Sequence, residues 1–309
     1  AADGIKLLFK EQLQPKDARP LLFVVAPCIS LVVALAAFAV IPIDKTLYNL
    51  AALGLPGFVL EPWVADPSIG VLYLLGVSSL GVYGIILGGW SSNNKYAMLG
   101  AIRSSAQVIS YELALGAALV SPLLMVGSLS FRDIIDFQIG TSFLADGGWL
   151  VLSQPVAFFI YWTAAVAEVN RAPFDLPEAE QELGAGYHTE YSGMKFAMFF
   201  MAEYVNMFTV SAVATTVFLG GPGGLPVDPS KGWFFQVLAH SPLWFLLKVY
   251  FFMFVFIWLR ATFPRFRFDQ LMRIGWQFLL PLALLNLAVT AVGVVLQWKS
   301  YQFGAAVLT

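Results

Sequence analysis

The chain has 309 residues, 59% of them hydrophobic and only 12% charged, with a formal net charge of −2 at pH 7. An ordinary soluble domain carries about 25% charged residues; 17 Lys/Arg and 19 Asp/Glu cannot cover a core of this size, so the sequence is that of an integral membrane protein. The near-neutral balance offers no basic field for nucleic acid, and one cysteine (Cys28) with two histidines excludes disulfide scaffolds, zinc sites and iron–sulfur ligation within the chain.

In chain order, residues 1–20 read as a short amphipathic segment, with Ile5, Leu7, Leu8, Phe9 and Leu13 among Lys6, Lys10 and Glu11. A spanning helix needs about 20 mostly apolar residues to cross roughly 30 Å of hydrocarbon. The stretches 21–41, 69–90, 109–126, 149–169, 196–219, 242–259 and 275–296 meet that length. They are too long for strands and do not alternate, which excludes a barrel. The predicted fold class is therefore all-α, a polytopic transmembrane helix bundle of seven spans forming one membrane domain over 1–309. Pro27, Pro122 and Pro281 fall in or near spans, where neighbouring helices satisfy the freed carbonyls. Residues 130–138, with Phe131, Ile134, Ile135 and Phe137 among charges, read as an interfacial turn of helix. Residues 220–229, GGPGG followed by two prolines, read as a breaker without chemistry. No internal repeat of the transporter kind is present.

Basic residues set the orientation. Lys6, Lys10, Lys16, Arg19, Lys95, Arg103, Arg171, Lys195, Arg260, Arg265, Arg267 and Arg273 share one side, against Lys45, Arg132, Lys231 and Lys299 on the other. The positive-inside rule makes the first side cytoplasmic. Lys248 lies inside a span, where it is either counter-ion to an acid on a neighbouring helix or snorkels outward. The arginines from Arg260 to Arg273 fit lipid-headgroup anchors.

The acids are distributed more informatively. Glu168, Asp175, Glu178, Glu180, Glu182 and Glu190 crowd the connection between the fourth and fifth spans, so 168–192 forms an acidic cytoplasmic loop. Asp175 and Glu178 equally fit a helix N-cap with its capping-box glutamate. Glu112 lies nine residues past Arg103 and Glu203 eight past Lys195, which places both roughly 12–13 Å into the membrane. A carboxylate at such depth costs about 2.5–3.5 kcal/mol on insertion scales, so function is the default reading. Buried acids continuing inward from an acidic loop are what a proton relay needs. His188, beside Glu190, is either a hydrogen-bonded loop residue or a group titrating near neutral pH. Cys28 reads as packing.

Three segments carry a family resemblance: AEVNRAPFDLPEAEQELGAGYHTEYSGMKFAMFFMAEY (167–204), SSNNKYAMLGAIRSSAQVISYEL (91–113) and RATFPRFRFDQLMRIGWQFLLPL (260–282). Across essentially the whole chain, the sequence resembles the H-type membrane subunits of respiratory complex I, the proton-pumping NADH:quinone oxidoreductase. The resemblance implies a membrane subunit at the junction of the peripheral and membrane arms, forming much of the chamber through which quinone, the substrate, reaches the last iron–sulfur cluster. It also implies that NADH, flavin and iron–sulfur sites lie in partner subunits, and that peripheral-arm subunits, antiporter-like membrane subunits and lipids are the partners, in a bacterial inner membrane.

Residue by residue, Glu112 matches the SYE position, Glu168 the position before R-x-PFD and Glu203 the MAEY position. With Glu178, Glu180, Glu182 and Glu190, these resemble the charged path that couples quinone reduction to proton translocation. Arg171, Phe174, Asp175, His188 and Arg260 are implied as chamber residues. Two departures stand out. Relatives begin with a further transmembrane helix and a Gly-Pro-Asn-Arg stretch ahead of the first residue here, so eight spans are expected of the family and seven of this sequence. Ser79 stands where some relatives carry a glutamate.

Three other readings stay open on the residues. A related hydrogenase or ferredoxin-linked complex shares the scaffold and differs in partners and electron donor. A stand-alone proton-coupled transporter predicts activity from the purified chain. A structural anchor predicts no catalytic effect of neutralising the buried acids.

Overall fold

In an apolar surrounding every backbone N–H and C=O must find its partner along the chain, so the apolar stretches fold as helices. The computed structural model describes residues 2–16, 18–44, 48–49, 59–60, 63–140, 148–175, 186–224 and 241–296. Among them run α1 (Ala2–Phe9), α2 (Pro20–Phe38), a two-residue antiparallel pairing of Tyr48–Asn49 with Val59–Leu60, α3 (Gly70–Ser91), α4 (Lys95–Val126) and α5 (Phe131–Gly140). Then follow α6 (Leu150–Ser153), α7 (Pro155–Glu168), a 3₁₀ turn at Gly186–His188, α8 (Gly193–Phe218), α9 (Pro242–Thr262) and α10 (Phe268–Val295). Six of these helices are long and apolar enough to cross a membrane, and α6–α7 supplies a shorter seventh. The molecule is a multi-pass membrane protein with an all-helical bundle.

Local chemistry sets the helix ends. The Asn94 side chain accepts from the Tyr96 N–H at 3.0 Å and starts α4, which ends at Gly127 with φ +75°, a conformation without steric cost for glycine. Ser241 caps α9 in the same way, accepting from the Leu243 N–H at 3.2 Å ahead of Pro242. The fourth span is not the continuous helix expected over 149–169. Gln154 precedes Pro155, whose ring disfavours the helical region for its predecessor, and its ψ of 55° breaks the helix into α6 and α7. In α10, Pro281 withholds an N–H from the Gln277 carbonyl, and a π-helical stretch at Ile274–Leu279 lies immediately before it.

α4 is the hub. Of its most apolar window 61% is buried, against 22–28% for α2, α3, α9 and α10. It packs on α3, α7 and α10, while α8 packs on α2 and α9. Lipid gives helices no hydrophobic reason to associate, so close packing of small residues carries the association. Gly84 of α3 lies directly against Ser30 and the Ala26 carbonyl of α2, with no room for a Cβ. The 130–138 segment is helical, as expected, but it packs inward. Phe131, Ile134 and Ile135 are buried, and Gln138 Nε2 donates to the carbonyls of Thr216 at 2.9 Å and Val217 at 3.1 Å at the end of α8.

Cross-links gather four segments at one end of the bundle. Arg19 N–H donates to the Ser91 carbonyl (3.2 Å), Leu13 N–H to Ser192 Oγ (2.8 Å), Asn94 Nδ2 to Glu190 Oε1 (2.8 Å) and Phe266 N–H to the Pro173 carbonyl (3.2 Å). These are the segments that carry the twelve basic residues, so the alternation of the spans agrees with the charge pattern. We call this the loop end.

Candidate functional site

Three helices bring the intramembrane acids together. Glu112 lies on α4, Glu168 ends α7 and Glu203 lies on α8, each partly buried. Ser79 Oγ of α3 donates to Glu112 Oε1. Glu168 lies within electrostatic reach of Glu112 and of the buried Tyr161 hydroxyl, which itself donates to the Val210 carbonyl at 2.8 Å. Glu168, Glu203 and Tyr161 also line a cavity of about 80 Å³ enclosed by α2, α3, α4, α7 and α8. Ser30, Ser78, Asn170, Tyr187, Asn206 and Thr209 add polar groups to a wall otherwise made of Val, Leu, Ile, Phe and Ala. By that measure a water needs roughly 10–15 Å³, so the space holds several.

The turn after α7 closes the loop end of this cavity. Asn170 takes a left-handed φ of 54°, and the buried Gln107 of α4 donates from Nε2 to the Ala167 carbonyl at 2.8 Å and the Phe174 carbonyl at 2.7 Å, bracketing the turn. Arg171 is thereby held inside. Its Nη2 stands 3.7 Å from Glu203 Oε2, with side-chain exposures of 8% and 13%, and its guanidinium lies 4.8 Å from the Tyr204 ring. Asp175 is buried and pairs with the half-exposed Arg265 at 3.4 Å. That contact gives Arg265 a protein partner beside the headgroup position read from the sequence. Among the described residues, the buried side-chain atoms left without a hydrogen bond belong to Ser104, Gln107, Asn170 and Arg171. Unmet polar capacity is thus concentrated at this turn.

The 3₁₀ turn forms the next wall. Gly186 packs on Gly100 of α4 so closely that a Cβ at Gly100 would stand 2.9 Å from the Gly186 Cα. The adjacent Tyr187 reaches back and donates to Glu203 Oε1 at 3.4 Å. His188 is buried edge-on among Tyr187, Phe196 and Phe200. Tyr191 stacks on Phe23 at 4.0 Å and shares a 3.1 Å hydrogen bond with Ser91; burial pushes its phenol up to about 12, against the opposing Ser91 hydrogen bond, so it stays neutral.

The structure thus brings Glu168 and Glu203 to one cavity wall, with Arg171 paired to Glu203 and Glu112 within electrostatic reach of Glu168, while Phe174, Asp175, His188 and Glu190 lie outside its lining. Arg260 is exposed in the last turn of α9. Glu178, Glu180 and Glu182 lie outside the described residues.

Two polar clusters lie at the opposite end, with partners that differ from the sequence reading or were missed by it. Lys248 neither pairs with an acid among the described residues nor snorkels outward: Nζ donates to the carbonyls of Leu219 (2.6 Å), Gly221 (3.0 Å) and Gly223 (2.6 Å), and lies 4.9 Å from the Trp149 ring. The GGPGG segment therefore carries chemistry after all, as a carbonyl cage. Beside the helix break, Gln154 Nε2 donates to Thr290 Oγ1 at 2.9 Å, and Asn286 Nδ2 donates to Gln154 Oε1 and to Ser121 Oγ, each at 3.1 Å. Uncharged amides inside apolar spans were the available signal.

Carboxylates lining an interior cavity among the spans of a polytopic helix bundle define a multi-pass membrane protein with ionisable groups inside the membrane, the usual mark of a functional site there. Residues 1–291 match the family model described as NADH dehydrogenase. Relatives include an H-type subunit of the NADH-quinone oxidoreductase of Geobacter sulfurreducens, 50% identical over 302 residues (96% of this chain, 82% of the relative). Subunit 8 of the same enzyme in Thermus thermophilus is 50% identical over 297 residues (96% and 74%), and the H-type subunit of Protochlamydia amoebophila is 48% identical over 293 (94% and 82%). The chain belongs to this family, the H-type membrane subunits of NADH-quinone oxidoreductase.

Proposed function

We propose that this chain forms much of the quinone chamber of a proton-pumping NADH:quinone oxidoreductase and carries the charged path that couples quinone reduction to proton translocation. The observation that carries the reading is the meeting of Glu168 and Glu203 in one interior cavity, with Arg171 paired to Glu203 and Glu112 within electrostatic reach of Glu168. Carboxyls spaced by hydroxyls and amides hand a proton inward only if the charge at one position alters its neighbours. Arg171 supplies that sensitivity, since a new negative charge near the turn competes with Glu203 for its guanidinium. Quinone reduction, fed by NADH, flavin and iron–sulfur clusters in partner subunits, changes the charge at the chamber and reorders the turns at 171–175 and 186–191. Protonation then shifts among Glu112, Glu168 and Glu203 toward antiporter-like neighbours. The loop end faces the cytoplasm of a bacterial inner membrane, against the peripheral arm, and the exposed apolar faces meet lipid and the other membrane subunits.

The test replaces Glu203 or Glu178 with Gln in the assembled complex. Quinone-dependent NADH oxidation and proton pumping should fall together, at least tenfold for Glu203→Gln, with assembly intact. Normal turnover and pumping in both variants would defeat the reading.

A further inference from the structure

The Lys248 cage has no part in the path just described, and its position makes it informative. Lys248 enters from α9 about 9 Å along the helix from Pro242, at the end of the bundle opposite the acidic loop. Its three carbonyl acceptors, at 2.6, 3.0 and 2.6 Å, match the three N–H bonds of an ammonium, and the Trp149 ring lies beside it. The residue is 7% exposed. The acids of the neighbouring α5, Asp133 and Asp136, stand at exposed positions. The result is one ammonium cradled by three carbonyl dipoles, immediately beyond the C-terminus of α8.

α8 is also the helix that carries Glu203 and lines the cavity as far as Val213. From Val213 to Leu219 is six residues, about 9 Å, and the intervening Val217 and Phe218 are buried. A proton that left the cavity along α8 toward the opposite face would therefore meet the caged ammonium at the end of that helix. Fixed positive groups and oriented dipoles exclude protons from other membrane pores by the same repulsion.

We propose that the Lys248 ammonium is an electrostatic barrier that stops protons leaking from the Glu168–Glu203 cavity through the bundle to the opposite side of the membrane. The inference rests on the proton-path reading, so its test measures leak without turnover. The whole complex is reconstituted into liposomes containing a pH-sensitive dye, and a potassium diffusion potential is imposed with neither NADH nor quinone present. Lys248→Met should raise passive proton entry by on the order of tenfold, the effect of one charge at about 10 Å in an effective dielectric of about 20. Lys248→Arg should stay as tight as the native complex. Adding Glu203→Gln to Lys248→Met should suppress the extra leak, because the leak runs through that acid. A tight Lys248→Met complex, or an extra leak indifferent to Glu203→Gln, overturns the proposal. Should Lys248→Met fail to assemble, Gly224→Glu sets an opposing charge beside the intact cage; it should leak, and a tight Gly224→Glu complex overturns the proposal equally. A failure of the proton-path reading shows separately, as normal turnover and pumping in Glu203→Gln with Lys248 untouched.

Discussion

The two ends of the bundle treat buried polarity in opposite ways. At the loop end, Arg171 reaches Glu203 only at 3.7 Å, and among the described residues Arg171, Ser104, Gln107 and Asn170 keep buried atoms without a hydrogen bond. At the far end, Lys248 has an acceptor for each N–H, and Gln154, Asn286, Ser121 and Thr290 bond one another within 3.1 Å. A buried polar network that is fully satisfied holds one arrangement, whereas a partly satisfied one has alternatives of similar energy. On the proposed function, the contrast separates a part that changes its charge state from a part that keeps it.

The sharpest way to break that contrast is at Arg171. Arg171→Leu leaves Glu203 buried without its cation, which costs about 3 kcal/mol, the low end for a broken buried pair. Thermal unfolding of the purified complex should show the loss, and Arg171→Leu/Glu203→Gln should recover most of it. Equal destabilisation in both would remove the ion pair from the account. Next comes the neutral knot. Asn286→Leu forfeits two interhelical hydrogen bonds at roughly 0.6 kcal/mol each, so stability should fall by about 1 kcal/mol with quinone-dependent turnover unchanged. A drop in turnover would show that the far end takes part in coupling. The smallest effect belongs to the exposed pair at that end, Arg132 with Asp66 at 3.2 Å. Arg132→Ala should change stability by no more than about 1 kcal/mol, and a larger loss would mean that the surface there is not free.

Hydropathy made the spans legible because lipid enforces helicity wherever apolar residues run long enough. It failed where composition and backbone diverge. α4 starts at Lys95, not near residue 109, because Lys95, Arg103, Ser104, Ser105 and Gln107 lower the hydropathy of its first turns without interrupting a helix capped at Asn94. Gln154–Pro155 was readable as a break by the steric rule for the residue before proline, which hydropathy overlooks. Charge counting and the family resemblance picked out Glu112, Glu168 and Glu203, but spacing along three separate helices cannot say that they meet. Arg265 found its acid 90 residues away, and Lys248 found backbone carbonyls, which are present at every residue and so leave no mark in a sequence. Ser79 is the instructive middle case. A hydroxyl where some relatives carry an acid looked like a missing group, and the structure gives it Glu112 as partner.

The length of α4 has one more consequence. Its 32 residues extend about 48 Å, whereas the hydrocarbon is about 30 Å thick and helices tilt by at most about 40°. Tilt alone cannot hide such a rod, so its first turns, from Lys95 toward Arg103, stand clear of the acyl chains. Because α3, α7, α10 and the Gly186 turn are all packed on this one rod, the bundle carries its own ruler. A thicker or thinner bilayer slides along the first turns of α4, and the spacing of Glu112 on α4 and Glu168 at the end of the α7 packed on it is set by the protein rather than by the lipid.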